Sequence, residues 1–234
     1  MMPETQPRPR PVNRKRLHPL QILTHLGAWI PLVVLVFAYY TGGLTVNPIQ
    51  DAMQRTGDTA LVLLILSLAC TPMNTLFRFP PVLKLRRPLG LYGYMYAAMH
   101  MLLFVGLDYG FDWELIGYEI VEKRFILLGM TAFIILTALA ITSFDYWKVK
   151  LGKRWKQLHR LVYLVNLILV LHFAWALKGD IFRLQGDVIR PLIAGVAVIA
   201  LLVLRIRAVR RRVAGKLAIA AQKSSSSPAT LEKT

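Results

Sequence analysis

Acidic residues and cysteine are scarce in this chain. Twelve Asp and Glu stand against 29 Lys and Arg, and there is one cysteine in 234 residues. A single thiol, Cys70, excludes a disulfide framework within the chain and any CxxC-type metal site. Its place inside an apolar run makes it a small buried hydrophobe. There is no Gly-rich dinucleotide fingerprint and no room for a soluble flavin domain. What is abundant is apolar: 56 % of the residues are hydrophobic. The net charge of +17 raises the question of nucleic acid, but with this apolar content it points to a membrane protein whose basic residues sit at the edges of its spans.

A bilayer core of about 30 Å takes roughly 20 mainly apolar residues in a helix. Six segments qualify, at about 22–40, 59–77, 89–107, 124–143, 158–177 and 188–205. The expected fold is an all-α membrane protein, a six-helix bundle. Basic residues cluster before the first segment (Arg8, Arg10, Arg14, Lys15, Arg16), between the second and third (Arg78, Lys84, Arg86, Arg87), between the fourth and fifth (Lys148, Lys150, Lys153, Arg154, Lys156) and after the sixth (from Arg205 on). The other loops are poor in them, and the middle one is acidic, with Asp108, Asp112, Glu114, Glu119 and Glu122. This alternation predicts both termini in the cytoplasm and basic faces that meet anionic lipid, so nucleic acid is not needed to explain the charge. The chain divides into a basic cytoplasmic segment (1–21), a transmembrane domain (22–207) and a basic tail (208–234) whose Ser224–Ser227 run predicts disorder. No internal repeat is visible. Trp113, Trp147, Trp155, Trp175 and Tyr109 fall near the predicted interfaces, where an aromatic belt is the default role.

Imidazole in hydrocarbon is costly unless something uses it. His18 lies in the basic N-terminal segment and is given no role. The other four histidines are His25 on the first helix, His100 on the third, and His159 and His172 on the fifth. With a rise of about 1.5 Å per residue, His100 lies roughly 20 Å from the cytoplasmic edge at Arg87, and His172 roughly 24 Å from Lys156. The two rings are thus expected at similar depth in the outer half, the arrangement of two axial ligands on one haem iron. A helix–helix hydrogen-bonding role is the plain alternative for any one of them. Zinc is disfavoured because no further Cys, Asp or Glu lies at that depth. His159 precedes His172 by about 20 Å along one predicted helix, with its ring turned some 140° away, so the two serve different sites. His159 and His25 both lie near the inner edge. A second haem held by this pair, an inner haem with one protein ligand, and a flavin contact at His159 all fit the spacing.

At these residues the chain resembles the MsrQ family, the haem-binding membrane subunits of the periplasmic protein-methionine-sulfoxide reductase system, within the ferric-reductase-like membrane domains that also include NADPH oxidases. The resemblance runs from about His25 to Arg207. It rests on His25-Leu26-Gly27, Gly42-Gly43-Leu44 with Pro48, Thr56-Gly57, Arg86-Arg87 with Leu89-Gly90-Leu91, and His100. Its most specific part is the run from Leu151 to His159 (LGKRWKQLH) with Val162-Tyr163-Leu164 and His172. The resemblance implies haem b, one or two copies, with His100 and His172 as iron ligands and His159 linked to haem or flavin. The superfamily often has two histidines on each of helices 3 and 5. Here Arg87 stands thirteen positions before His100, and it is expected to pair with a haem propionate or a flavin phosphate. FMN is a further cofactor the resemblance suggests, although no sequence signature marks its site.

By the same resemblance the chain is an electron-transfer subunit of the bacterial inner membrane rather than a stand-alone enzyme. Electrons would come from a cytosolic NAD(P)H flavin reductase or from the quinone pool. They would go to a periplasmic molybdenum-cofactor reductase that repairs methionine sulfoxide. A quinol-oxidising cytochrome b anchor of another oxidoreductase uses the same chemistry. A cofactor-free transporter or assembly protein is the reading from a different class, and the few charges in the helix interiors and the lack of paired broken helices argue against transport.

Overall fold

The first helix, α1 (Pro19–Tyr40), starts on a capping box. The His18 imidazole accepts from the Leu20 N–H at 3.3 Å, and the Gln21 side chain accepts from the His18 N–H at 3.1 Å, so His18 is a helix cap. Pro31 lies inside α1, and beside it the ladder is opened by another helix. The Tyr96 hydroxyl donates to the Ala28 carbonyl at 2.7 Å and accepts from the Leu32 N–H at 3.0 Å. The phenol thereby stands between a donor and an acceptor that an α-helix would join directly. The computed structural model describes residues 18–177, 188–206 and 209. The basic segment before His18, residues 178–187, and the tail beyond 206 except residue 209 lie outside the described residues.

α2 (Pro48–Phe77) begins eleven residues before the apolar run that predicts it. Asn47 caps it by accepting from the Gln50 N–H at 3.2 Å, Pro48 takes the first helical position, and Asp51 bonds Arg55 one turn on at 2.8 Å. Capping and this pair extend the helix through polar residues that hydropathy leaves out. A 3-10 turn (Pro80–Leu85) leads into α3 (Arg86–Leu102), which continues as a π-helical stretch to Asp108. α4 (Trp113–Glu122) forms the acidic segment and α5 (Arg124–Ile141) the fourth long apolar helix. Short α6 (Asp145–Leu151) and α7 (Lys153–Leu158) precede α8 (Leu161–Ala176), and α9 (Ile189–Val203) comes last.

Five stretches are long and apolar enough to cross a membrane: Pro19–Tyr40, Pro48–Phe77, Pro80–Asp108, Arg124–Ile141 and Lys153–Ala176. α9 is apolar but shorter; its 15 residues span about 22 Å against a core of about 30 Å. It is tied down at both ends. Arg190 lies 3.6 Å from Asp58, and the Arg205 guanidinium donates to the Leu68 carbonyl and to the Tyr163 hydroxyl, stacking over that ring at 4.7 Å. No strand occurs among the described residues, and apolar side chains such as Leu23, Leu26, Val33, Phe37, Ile193 and Val196 stand exposed, as a lipid-facing surface requires.

The core is made by two antiparallel pairs, α2 with α3 and α5 with α8, which share the most extensive contacts. Where they meet, Leu64, Ala132, Leu136 and Val165 form one buried cluster. His18, the first described residue, and Arg205, just after α9, fall at the same end of the bundle, with Arg86 and Tyr163. α1 runs beside α3 in the same direction, and Ser67 bonds the Arg86 carbonyl at 2.8 Å.

Candidate functional site

His100, near the end of α3, and His172, near the end of α8, come together across the two helix pairs. Their ring centroids are 6.3 Å apart and the ring planes stand at 86°. Each ring is held from behind by a backbone carbonyl of the partner helix. His100 Nδ1 lies 2.8 Å from the Met53 carbonyl of α2, and His172 Nδ1 lies 2.7 Å from the Phe125 carbonyl of α5. A carbonyl only accepts, so Nδ1 carries the proton in both rings and Nε2 keeps its lone pair. This is the tautomer an imidazole needs to ligate a metal through Nε2, with the outer hydrogen bond that commonly orients such a ligand.

The spacing is that of two trans ligands. An imidazole nitrogen bonds a metal at about 2 Å, and the ring centre lies about 1.1 Å behind it, so two rings on opposite sides of one metal hold their centroids roughly 6.2 Å apart. The observed 6.3 Å matches. Glycines make room on both sides. A Cβ on Gly57 would come 3.2 Å from His100 Nδ1, and one on Gly129 would come 2.8 Å from His172 Cε1. The residues present fit a bis-histidine haem. Among the described residues no three His, Cys, Asp or Glu side chains converge as a metal-binding group.

The other predicted residues lie apart from this pair. His159 lies at a local irregularity between α7, which ends at Leu158, and α8: its N–H still bonds the Trp155 carbonyl at 3.0 Å, and the backbone keeps right-handed helical angles at His159 and Arg160. His159 Nε2 lies 3.1 Å from Thr142 Oγ1, whose own proton goes to the Ala138 carbonyl at 2.7 Å. His159 thus donates from Nε2, the opposite tautomer to that of His100 and His172. Trp155 stacks on the His159 ring at 4.2 Å and donates to the Thr142 carbonyl at 2.8 Å, a tighter role than an interface aromatic. His25 meets Tyr92, with Nδ1 2.9 Å from its hydroxyl. The contacts of His25 and His159 thus lead to different neighbours, and the structure does not bring the two rings together. Arg87, half-exposed at the start of α3, lies 3.8 Å from Asp145, an open and weak pair.

In the acidic segment, Asp112 caps α4 by accepting from the Leu115 N–H at 3.0 Å. Glu119 pairs with Lys123 and holds that ammonium above its usual range. Two of its carboxylates therefore serve the local fold.

Sequence reasoning finds both histidines but not Gly129 or the two carbonyls. Gly57 entered only as part of a motif. The signal that reveals them is a shared offset of 72 positions: Met53 to Phe125, Gly57 to Gly129, and His100 to His172. Both hydrogen bonds span 47 positions. The core keeps the same offset, with Leu64 matched by Leu136 and Ala60 by Ala132. The expectation of no internal repeat is therefore corrected. The two helix pairs share these positions at one offset.

Comparison with known proteins identifies the family. Residues 56–170 match the family described as ferric reductase like transmembrane component. The protein-methionine-sulfoxide reductase heme-binding subunit MsrQ of Caulobacter vibrioides is 36 % identical over 190 residues, covering 81 % of this chain and 87 % of that protein. Its counterpart in Salmonella enteritidis is 34 % identical over 201 residues, 86 % of this chain and 98 % of the relative. With that identity over nearly the whole length of both relatives, the chain belongs to the MsrQ family.

Proposed function

We propose that this protein carries electrons across the bacterial inner membrane through haem b held between His100 and His172, for a periplasmic protein-methionine-sulfoxide reductase. The observation that supports this most directly is the 6.3 Å pairing of two rings whose Nδ1 atoms are both tied to carbonyls. When bound, haem supplies the one-electron redox chemistry that hydrocarbon and side chains lack. His100 and His172 would both ligate its iron, and two imidazole ligands favour electron transfer over oxygen binding. The Met53 and Phe125 carbonyls fix ring orientation and raise ligand basicity. The relatives' designation as heme-binding subunits of a protein-methionine-sulfoxide reductase supports the acceptor side.

The donor side belongs at the other end of the bundle, which the positive-inside pattern assigns to the cytoplasm. There the half-exposed Arg87 guanidinium, only weakly paired with Asp145, can bind a phosphate or carboxylate, and the His159–Trp155 pair offers an aromatic surface. We assign these residues to FMN or a second haem, supplied with electrons by a cytosolic NAD(P)H flavin reductase or by quinol. The acceptor is taken to be a molybdenum-cofactor enzyme. The test is anaerobic: proteoliposomes with flavin reductase and NADH inside and the reductase with an oxidised peptide outside should produce methionine only when this protein is present. Equal production without it contradicts the proposal, and production driven by quinol alone moves the donor to the quinone pool.

A further inference from the structure

We infer that Gly57 and Gly129 are the positioning residues of the paired-histidine site, two copies of one device that lets an imidazole reach a helix carbonyl. In an α-helix each Cα–Cβ bond tilts toward the N-terminus, so a side chain covers the turn before its own Cα. The carbonyl of residue i is therefore screened by the side chain at i+4. Met53 and Phe125 are the residues whose carbonyls receive His100 and His172, and the residues four positions on are Gly57 and Gly129. The missing Cβ uncovers each carbonyl.

The distances show what fills the space. At Gly57 the atoms nearest an added Cβ are His100 Nδ1 at 3.2 Å and Cε1 at 3.3 Å. At Gly129 they are His172 Cε1 at 2.8 Å and Nδ1 at 2.9 Å. A packing glycine looks different. At Gly93 the added Cβ would meet Leu64 at 2.8 Å, an apolar neighbour in the core, and the position 72 further on is Val165, so a side chain is accepted there in the other pair. At the histidine positions both pairs keep glycine. An alanine at Gly129 forces the ring to move, and one at Gly57 asks for a smaller shift. In both cases the Nδ1–H to carbonyl bond is lengthened, the ligand becomes less basic, and the ferric state is less favoured.

The inference rests on the haem reading, and the experiment separates the two. Gly57→Ala and Gly129→Ala are compared with the wild type and with Gly27→Ala, an α1 variant whose added methyl meets nothing within 4 Å. All should insert, and the haem-free forms should melt together. Gly129→Ala should lose most of its haem. Gly57→Ala should keep haem that is easier to reduce, by up to roughly tenfold in the reduction equilibrium, or about 59 mV for one electron. If Gly129→Ala does not accumulate, Gly57→Ala decides. Wild-type haem content and midpoint potential in both variants, or equal changes in Gly27→Ala, overturn the inference. A wild type without haem bands overturns the haem reading instead. The glycine role is then read in the haem-free protein, where the Nδ1 nitrogen resonances of His100 and His172 must shift in the matching glycine variant and not in Gly27→Ala; unchanged resonances overturn it.

Discussion

The imidazole planes of His100 and His172 stand at 86° to each other, each fixed by a carbonyl on a different helix. Because the planes are set by the backbone of α2 and α5, they cannot rotate freely to become parallel. The ferric protein is expected to give a strongly anisotropic low-spin signal with a large maximum g value in electron paramagnetic resonance. A rhombic spectrum of the kind given by parallel imidazoles would contradict this geometry.

Tyr96 is 1 % exposed and its hydroxyl bridges Ala28 and Leu32 beside Pro31. Tyr96→Phe removes that bridge and leaves α1 to close the gap or keep two unpaired backbone groups. A cost of about 1–3 kcal/mol is expected, the usual penalty for an unmade buried hydrogen bond. Thermal unfolding in detergent should show it, with haem content at the wild-type level. An unchanged melting temperature would mean that α1 re-forms its ladder without the phenol.

His159 donates from Nε2 to Thr142 and stacks on Trp155, so it is not set up as His100 and His172 are. His159→Ala should keep the absorption of the haem between His100 and His172 but slow reduction from the donor side several-fold. Thr142→Val, which removes only the acceptor, should fall between. Stopped-flow reduction by flavin reductase and NADH is the measurement. Loss of the His100–His172 haem in His159→Ala, or unchanged rates and cofactor content, would contradict the assignment.

Hydropathy and helix rise are enough to place His100 and His172 at one depth, because an apolar helix is a ruler. The same means miss the start of α2, where Gln50, Asp51, Gln54 and Arg55 dilute the apolar signal although Asn47 and Pro48 mark a helix start. That missed stretch carries the Met53 carbonyl, the support of His100. A backbone carbonyl leaves no mark in a sequence, and Gly129 reads as one more small residue in an apolar run until the offset from Gly57 is known. What happens at His159–Arg160 is equally hidden. Lys153 to Leu158 continues into Leu161 without Gly or Pro, so the pattern gives no sign of the local irregularity in the helical ladder there.

The central claim is that His100 and His172 hold one haem between them. It is tested most directly by absorption spectra, oxidised and dithionite-reduced, of the detergent-purified protein and its His100→Ala and His172→Ala variants. The wild type should show Soret and alpha bands of a b-type haem, and each variant should lose the bands of this haem while still inserting in the membrane. A normal reduced b-type spectrum in both variants would contradict the account.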